Sequence, residues 1–384
     1  MRKICVVVTA RPSYARIKSV MAAIQERSDT KLQLVVAASA LLEKYGSAIE
    51  YMRSDGFEPD ELVYMVLEGE TLVTTAKSTG LGIVELATVF DNLKPDIVVS
   101  VADRYETIAT AIAAAYSNIP LAHIQGGEVT GSIDEKVRHA VTKLADLHFV
   151  ANDDAAIRVE KMGENPKKIY TTGCPSIDLA ANVLSIKEEY FNPFDLMQKG
   201  VGEPFNLRDG YLVVMQHPVT TEYKFAFQQI NQTLEAIYNL KIPTFWFWPN
   251  VDAGSDKLSK GIRMFRENRE IPFIYFYKNM APEDFLKLLI NSKCLIGNSS
   301  VGIRECSYLG VPVVNIGDRQ TGRLRGENAI DVNYNTEEIV KSIKKQLQNG
   351  AYPCENIYGD GNAGQKIAEL FSSVDLSIEK RIKY

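Results

Sequence analysis

The run Gly297-Asn-Ser-Ser-Val-Gly-Ile-Arg-Glu305 follows a short apolar stretch, Leu295-Ile296. Its small residues let a backbone come close to a ligand. Ser299 and Ser300 place two hydroxyls beside the free N–H groups of a helix expected over 301–309 and stopped at Gly310. A helix N-terminus of that kind attracts anions, so the stretch predicts a phosphate cradle. Glu305, one turn further in, would repel phosphate and suits a sugar hydroxyl pair such as a ribose. An ordinary strand-to-helix turn with a serine cap uses the same residues.

Further polar groups sit where apolar runs end. Arg11 and Arg16 flank the turn after 4–9. Asp103 and Arg104 follow 96–101. Gln125, Glu128 and Asp134 follow 121–125, and His217 follows 211–215. Two carboxylates in different surroundings can divide into acid and base. Each group also has a plain structural role. Asp103 would cap its alanine-rich helix, whose dipole keeps it ionised; Asp134 would serve the helix dipole or pair with Arg138 at helical spacing; His217 would be a turn residue before Pro218. Their concentration at strand ends is what argues for a site.

Several chemistries are absent from the pattern. The four histidines are scattered and no HExxH or two-metal spacing occurs, so no metal is expected. There is no GxSxG elbow, no Walker loop and no GxGxxG after the first strand. A net charge of -5 without a basic tail speaks against a nucleic-acid partner. The five cysteines lie far apart with no CxxC pair, as free thiols do in a reducing, cytoplasmic compartment. The opening Met1-Arg-Lys-Ile-Cys-Val-Val-Val8 is too short an apolar run for a signal peptide and reads as a first strand. No stretch is long enough to span a bilayer.

These groups need a scaffold, and the apolar pattern supplies one. Strands are expected at 4–9, 32–38, 61–66, 96–101, 121–125, 147–151 and 169–172. Helices are expected up to 26 and at 41–55, 71–93, 107–116, 133–145 and 153–162. After a mixed connection over 184–210, the alternation resumes. Strands fall at 211–215, 244–248, 274–277, 295–296 and 313–315, with helices at 223–238, 254–267, 282–291, 301–309, 336–348 and 364–371. Strands alternating with helices of this size imply parallel sheets covered on both faces. The 384 residues divide into domains at 1–183 and 184–366, with a helix over 367–384 packing back on the first.

Thr9-Ala-Arg-Pro-Ser-Tyr14, Ala102-Asp-Arg104, His123-Ile-Gln-Gly-Gly-Glu-Val-Thr-Gly-Ser-Ile-Asp134, Arg138-His139, Thr172-Gly-Cys-Pro-Ser176, Gln216-His-Pro-Val-Thr220, Phe247-Trp-Pro-Asn-Val-Asp-Ala-Gly254, Gly297-Asn-Ser-Ser300, Gly326-Glu-Asn328 and Tyr358-Gly-Asp-Gly-Asn362 occur in one order along the chain. Together they resemble the hydrolysing UDP-N-acetylglucosamine 2-epimerases of the sialic and legionaminic acid type. The resemblance implies a GT-B-type fold, two doubly wound Rossmann-like domains facing across a cleft. It implies a UDP- or GDP-linked amino sugar as substrate, a homodimer or homotetramer, and no cofactor. It places Asp103 and Asp134 at catalytic carboxylate positions and His217 at the histidine beside the departing diphosphate. Arg11 and Arg16 fall where the diphosphate needs positive charge, Ser299 and Ser300 at the phosphates, and Glu305 at the ribose. Arg104, Asn250, Gly302, Arg319, Glu327 and Asn328 complete the substrate-binding set. One position departs: the family often carries Glu where this chain has Gln125. Gln takes no proton at neutral pH, so either Glu128 or Asp134 does that work or Gln125 positions. The change also fits a 2,4-diacetamido-2,4,6-trideoxy sugar.

Overall fold

The computed structural model describes residues 1–43, 47–69, 71–130, 134–186, 191–196, 200–249 and 254–383. The chain divides into two compact units. The first comprises Met1–Glu128, Ile133–Leu179 and Tyr358–Tyr384; the second comprises Val129–Ser132 and Ala180–Ile357.

The first unit runs β1 (Arg2–Val8), α1 (Arg11–Ala15), α2 (Lys18–Glu26), β2 (Thr30–Ala37), α3 (Ala48–Ser54), β3 (Glu61–Val63), α4 (Leu72–Leu93), β4 (Ile97–Val101), α5 (Thr107–Tyr116), β5 (Leu121–Ile124), α6 (Asp134–Leu144), β6 (Leu147–Val150), α7 (Asp153–Lys161) and β7 (Ile169–Thr171). Its strands pair in parallel in the order β3-β2-β1-β4-β5-β6-β7. Alternation explains the two layers: Ile4, Val6 and Val8 face one core, Cys5 and Val7 the other. The helix expected through residue 26 is two helices, α1 and α2. The helix expected over 41–55 begins only at Ala48 in α3, after a 3-10 turn at Ala38–Leu41; residues 44–46 lie outside the described residues.

α8 (Pro175–Ser185), which the apolar pattern does not show, begins inside the Thr172–Ser176 motif. The second unit then runs β8 (Leu212–Met215), α9 (Ala226–Leu240), β9 (Thr244–Phe247), α10 (Ser255–Asn268), β10 (Ile274–Tyr277), α11 (Pro282–Ile290), β11 (Cys294–Gly297), α12 (Glu305–Leu309), β12 (Val313–Ile316), β13 (Ala329–Val332) and α13 (Thr336–Asn349). The parallel order is β10-β9-β8-β11-β12-β13. Phe194 and Phe205, from the mixed connection, pack on Phe245 with ring centroids 5.3 and 4.9 Å away. The connection is therefore partly second-unit core.

α14 (Ala363–Ser373) returns to the first sheet, where Ile367, Ala368 and Phe371 join its core. The Thr172–Ser176 and Tyr358–Asn362 motifs and the residues just after them make this joint. Asp178 in α8 accepts from the Ala363 and Gly364 N–H groups at 2.9 and 2.6 Å, and Cys174 N–H donates to Tyr358 O at 2.7 Å. Gly173 and Gly359 touch backbone to backbone: a Cβ on Gly359 would lie 3.0 Å from the Gly173 Cα.

The tail beyond α14 is tied to α6. Glu164, 4% exposed, accepts from Lys143 and Lys380 Nζ at 2.5 Å each and from His148 Nε2 at 3.1 Å. Lys380 also donates to the Ala145 carbonyl at the end of α6. Burial alone would raise the Glu164 carboxyl; the hydrogen bonds from His148, Lys143 and Lys380 outweigh it and hold it at about 2. A depressed acid stabilises the fold above its unfolded value of 4.5 and loses that contribution as pH falls towards about 2. Glu164→Gln leaves two lysines without their anion, and is expected to cost about 1.5–3 kcal/mol in urea unfolding at pH 7, the worth of hydrogen bonds to a charged group. The gap from wild type should narrow progressively below about pH 4.5.

No helix among the described residues is long and apolar enough to cross a membrane.

Candidate active site

Both sheets reverse their strand order once, between β1 and β4 in the first and between β8 and β11 in the second. Ligands of doubly wound folds bind beyond the carboxyl ends of strands at such a switch. β1 leads into Arg11 and Arg16, and β4 into Asp103. β8 leads into His217, and β11 into Asn298, Ser299 and Ser300.

At the first switch point the organising side chain is Arg138, 1% exposed, on α6. Its guanidinium ion-pairs with Asp103, bonds Glu135 at 3.2 Å, and donates to the Glu128 carbonyl at 2.9 Å. Arg16 lies 3.6 Å from the other Asp103 oxygen. One arginine thus gathers the ends of β4 and β5 and the start of α6, where Asp134 sits. Spacing had suggested Arg138 only as a partner for Asp134.

Asp103 is not a helix cap, and no dipole argument applies to it. The N-cap position of α5 belongs to Glu106, and Asp103 lies outside the helix, turned towards the two guanidinium groups. Those neighbours, instead of a helix N-terminus, are its partners. Arg104 pairs with the fully buried Glu106 at 3.3 Å. Desolvation lowers the Arg11 guanidinium to about 10; Tyr51 opposes the shift and Arg104 adds to it.

The backbone here is held under strain. Ala102 and Gln125 have φ of 62 and 67°, left-handed values uncommon for residues with a side chain. His123 supports the first of them: Nε2 donates to Ala102 O at 2.8 Å, and Nδ1 faces the Thr142 hydroxyl at 3.1 Å. Burial pushes the imidazole down to about 4, so it is neutral, with the proton on Nε2 as this pairing requires. Gly127 has no room for a side chain; a Cβ would stand 2.3 Å from Ala155 O. Gln125 directs Nε2 at Cys174 Sγ, 2.6 Å away.

At the second switch point Asn298, fully buried, clamps His217 by both backbone groups: Oδ1 accepts from its N–H at 2.7 Å and Nδ2 donates to its carbonyl at 2.8 Å. Gly297 makes the approach possible, since a Cβ there would lie 2.1 Å from Met215 O at a φ of 135°. The Asn298 carbonyl accepts from Arg319 at 3.3 Å and Gln320 at 2.8 Å.

The helix expected over 301–309 is broken. A 3-10 turn occupies Ser300–Gly302, and α12 starts at Glu305. The Gly302, Ile303 and Arg304 N–H groups bond the Ser299 and Ser300 carbonyls, so they are not open to a ligand. The break follows from packing: Gly302 meets Val313, and Arg304, 2% exposed, turns inward to donate to the Ser300 hydroxyl at 2.9 Å. The two serine hydroxyls, with Arg304 on that of Ser300, stay candidate donors to a phosphate. Arg304 was legible only as a residue four positions after Ser300. Glu305 is the first residue of α12, 5% exposed and 3.7 Å from Arg304. Asn328, 1% exposed, bonds Val311 O at 2.8 Å within the fold, whereas Glu327 is exposed. Asn250 lies outside the described residues. Val129 belongs to the second unit, where its carbonyl accepts from Arg323 at 2.7 Å. Among the described residues no three His, Cys, Asp or Glu side chains are grouped to hold a metal.

The chain matches the UDP-N-acetylglucosamine 2-epimerase family over residues 22–372. It is 29% identical to the UDP-N,N'-diacetylbacillosamine 2-epimerase (hydrolyzing) of Legionella pneumophila, covering 98% of this chain and 97% of that protein. It is 30% identical to the GDP/UDP-N,N'-diacetylbacillosamine 2-epimerase (hydrolyzing) of Campylobacter jejuni, covering 87% and 85%. Among solved structures it resembles UDP-GlcNAc 2-epimerase from Neisseria meningitidis bound to UDP-GlcNAc, with a TM-score of 0.76 at 19% identity over 96% of this chain and 98% of that one. That likeness gives the fold as GT-B-type, in keeping with the two doubly wound sheets. Family match and fold agree: the chain belongs to the UDP-N-acetylglucosamine 2-epimerase family, the 2-epimerases of nucleotide sugars.

Proposed function

We propose that the protein is a hydrolysing 2-epimerase. It eliminates the nucleoside diphosphate from a UDP- or GDP-linked 2-acetamido sugar and hydrates the glycal to the free manno-configured sugar. The observation that carries this reading is the division of candidate groups between two switch points, arginines and carboxylates at one, hydroxyls and imidazole at the other. The relatives from Legionella and Campylobacter, both named as hydrolysing, support that branch, and the second supports either nucleotide.

In the first step a base takes the C2 proton, the C1–O bond to the diphosphate breaks, and C1=C2 forms. In the second, water oxygen adds to C1 and a proton to C2 from the opposite face. One water is consumed. The C2 proton is weakly acidic, so base and leaving-group stabilisation act together. Asp103, ion-paired with two guanidinium groups, serves to hold Arg16 and Arg138. Glu128 and Asp134 carry the two proton transfers. His217, set by Asn298, and Arg11 meet the diphosphate. Ser299, Ser300 and Arg319 meet the phosphates, and Glu305 the ribose. The five cysteines are free, which fits a reducing cytoplasm. The active form is a homodimer or homotetramer.

Incubation with UDP-N-acetylglucosamine or its 2,4-diacetamido-trideoxy counterpart, with no acceptor, tests the reading. Nucleoside diphosphate and free sugar should appear in equal amounts from one of them. A product that keeps its nucleotide would mean a non-hydrolysing epimerase. No product without an acceptor would mean a transferase or a binding module.

A further inference from the structure

Gln125 stands where the chemistry of proton transfer has no use for it, yet the fold maintains it under constraint. Its backbone is left-handed, and its N–H is fixed by Phe149 O at 2.9 Å. Its side chain is 2% exposed. One end of the amide meets Cys174 Sγ, which is itself held by the Ser176 hydroxyl at 3.0 Å. The other end, Oε1, is buried and has no hydrogen-bond partner among the described residues. A buried polar atom left unsatisfied is costly, and such atoms persist where a ligand completes them.

The motif Thr172-Gly-Cys-Pro-Ser176, which the proposed reaction leaves without a role, thus anchors a neutral amide three residues before Glu128. A carboxylate at this position would add a charge to a site already crowded with them. An amide adds none, and asks for a neutral partner with complementary polarity. An acetamido group is such a partner. It carries one N–H and one carbonyl, so it satisfies the free end of Gln125 whichever end faces the thiol.

We infer that Gln125, positioned by Cys174 and Ser176, reads an acetamido group of the sugar and is the residue that makes the enzyme selective for N-acetylated substrates. The inference rests on the proposed nucleotide-sugar reaction and assigns the substrate feature recognised by that same site.

The test compares binding of UDP, UDP-glucose and UDP-N-acetylglucosamine by calorimetry. The full chain carries Asp134→Asn to slow turnover. With Gln125 present, UDP-N-acetylglucosamine should bind roughly 10- to 100-fold tighter than UDP-glucose, the worth of hydrogen bonds otherwise left unpaired. Gln125→Leu and the near-isosteric Gln125→Met should close that gap to about twofold with UDP affinity unchanged, which also shows that the variants fold. Cys174→Ala, which removes the anchor and keeps the amide, should narrow it part-way. A gap that survives both Gln125 substitutions, or no gap with Gln125 present, overturns the inference. Absence of free sugar from wild type would instead overturn the reaction, whatever the binding ratio.

Discussion

Asp134→Asn is expected to lower turnover by about 10²–10⁴-fold, the usual loss of an acid or base, with affinity for free UDP nearly unchanged. Asp134 opens α6, so it also faces the positive end of the helix dipole. That contribution is worth about 0.3–1 kcal/mol and is a matter of stability. It cannot produce a thousandfold loss of rate in a folded enzyme. Steady-state kinetics, UDP calorimetry and thermal unfolding on the same variant therefore separate the two roles. Glu128→Gln should behave in the same way. Unchanged turnover in both variants would return the proton transfers to Asp103, despite its two guanidinium neighbours.

Arg138 should be the most damaging single site. Arg138→Leu leaves Asp103 with Arg16 alone and removes the donor to the Glu128 carbonyl. Removing one member of a buried ion pair costs about 3–5 kcal/mol, a large part of the stability of an ordinary domain. Arg138→Lys is the more informative change. It keeps the charge but loses the planar fork that bonds a carboxylate and a carbonyl together. This variant should fold, with a modest loss in urea unfolding, and still lose about 10²-fold or more in turnover, the cost of misplaced acid and base groups. If Arg138→Lys keeps full activity, the gathering of β4, β5 and α6 by one side chain is not needed for catalysis.

The strand series was readable because parallel strands buried on both faces are continuous apolar runs, and β1, β4 and β8 announce themselves in that way. β13 did not: Ala329–Val332 is a half-exposed edge strand of four residues, too short to show a period. α8 was hidden because its start, Pro175-Ser176, also belongs to a motif with long-range partners. The break before α12 depends on Val313 and on a buried arginine, and neither is local information. The site followed the same rule. Strand ends marked Asp103, Gln125 and His217 as candidates. Arg138 and Asn298, which hold them, are visible only through partners far along the chain.

The chemistry itself is decided by isotope placement. The enzyme is incubated with its nucleotide sugar in D₂O containing ¹⁸O water, and both products are weighed by mass spectrometry. Elimination and hydration predict a free manno-configured sugar with deuterium at C2 and ¹⁸O at C1, and a nucleoside diphosphate with no ¹⁸O. A nucleotide still attached to the sugar, ¹⁸O in the diphosphate, or a free sugar without deuterium at C2 would contradict the account.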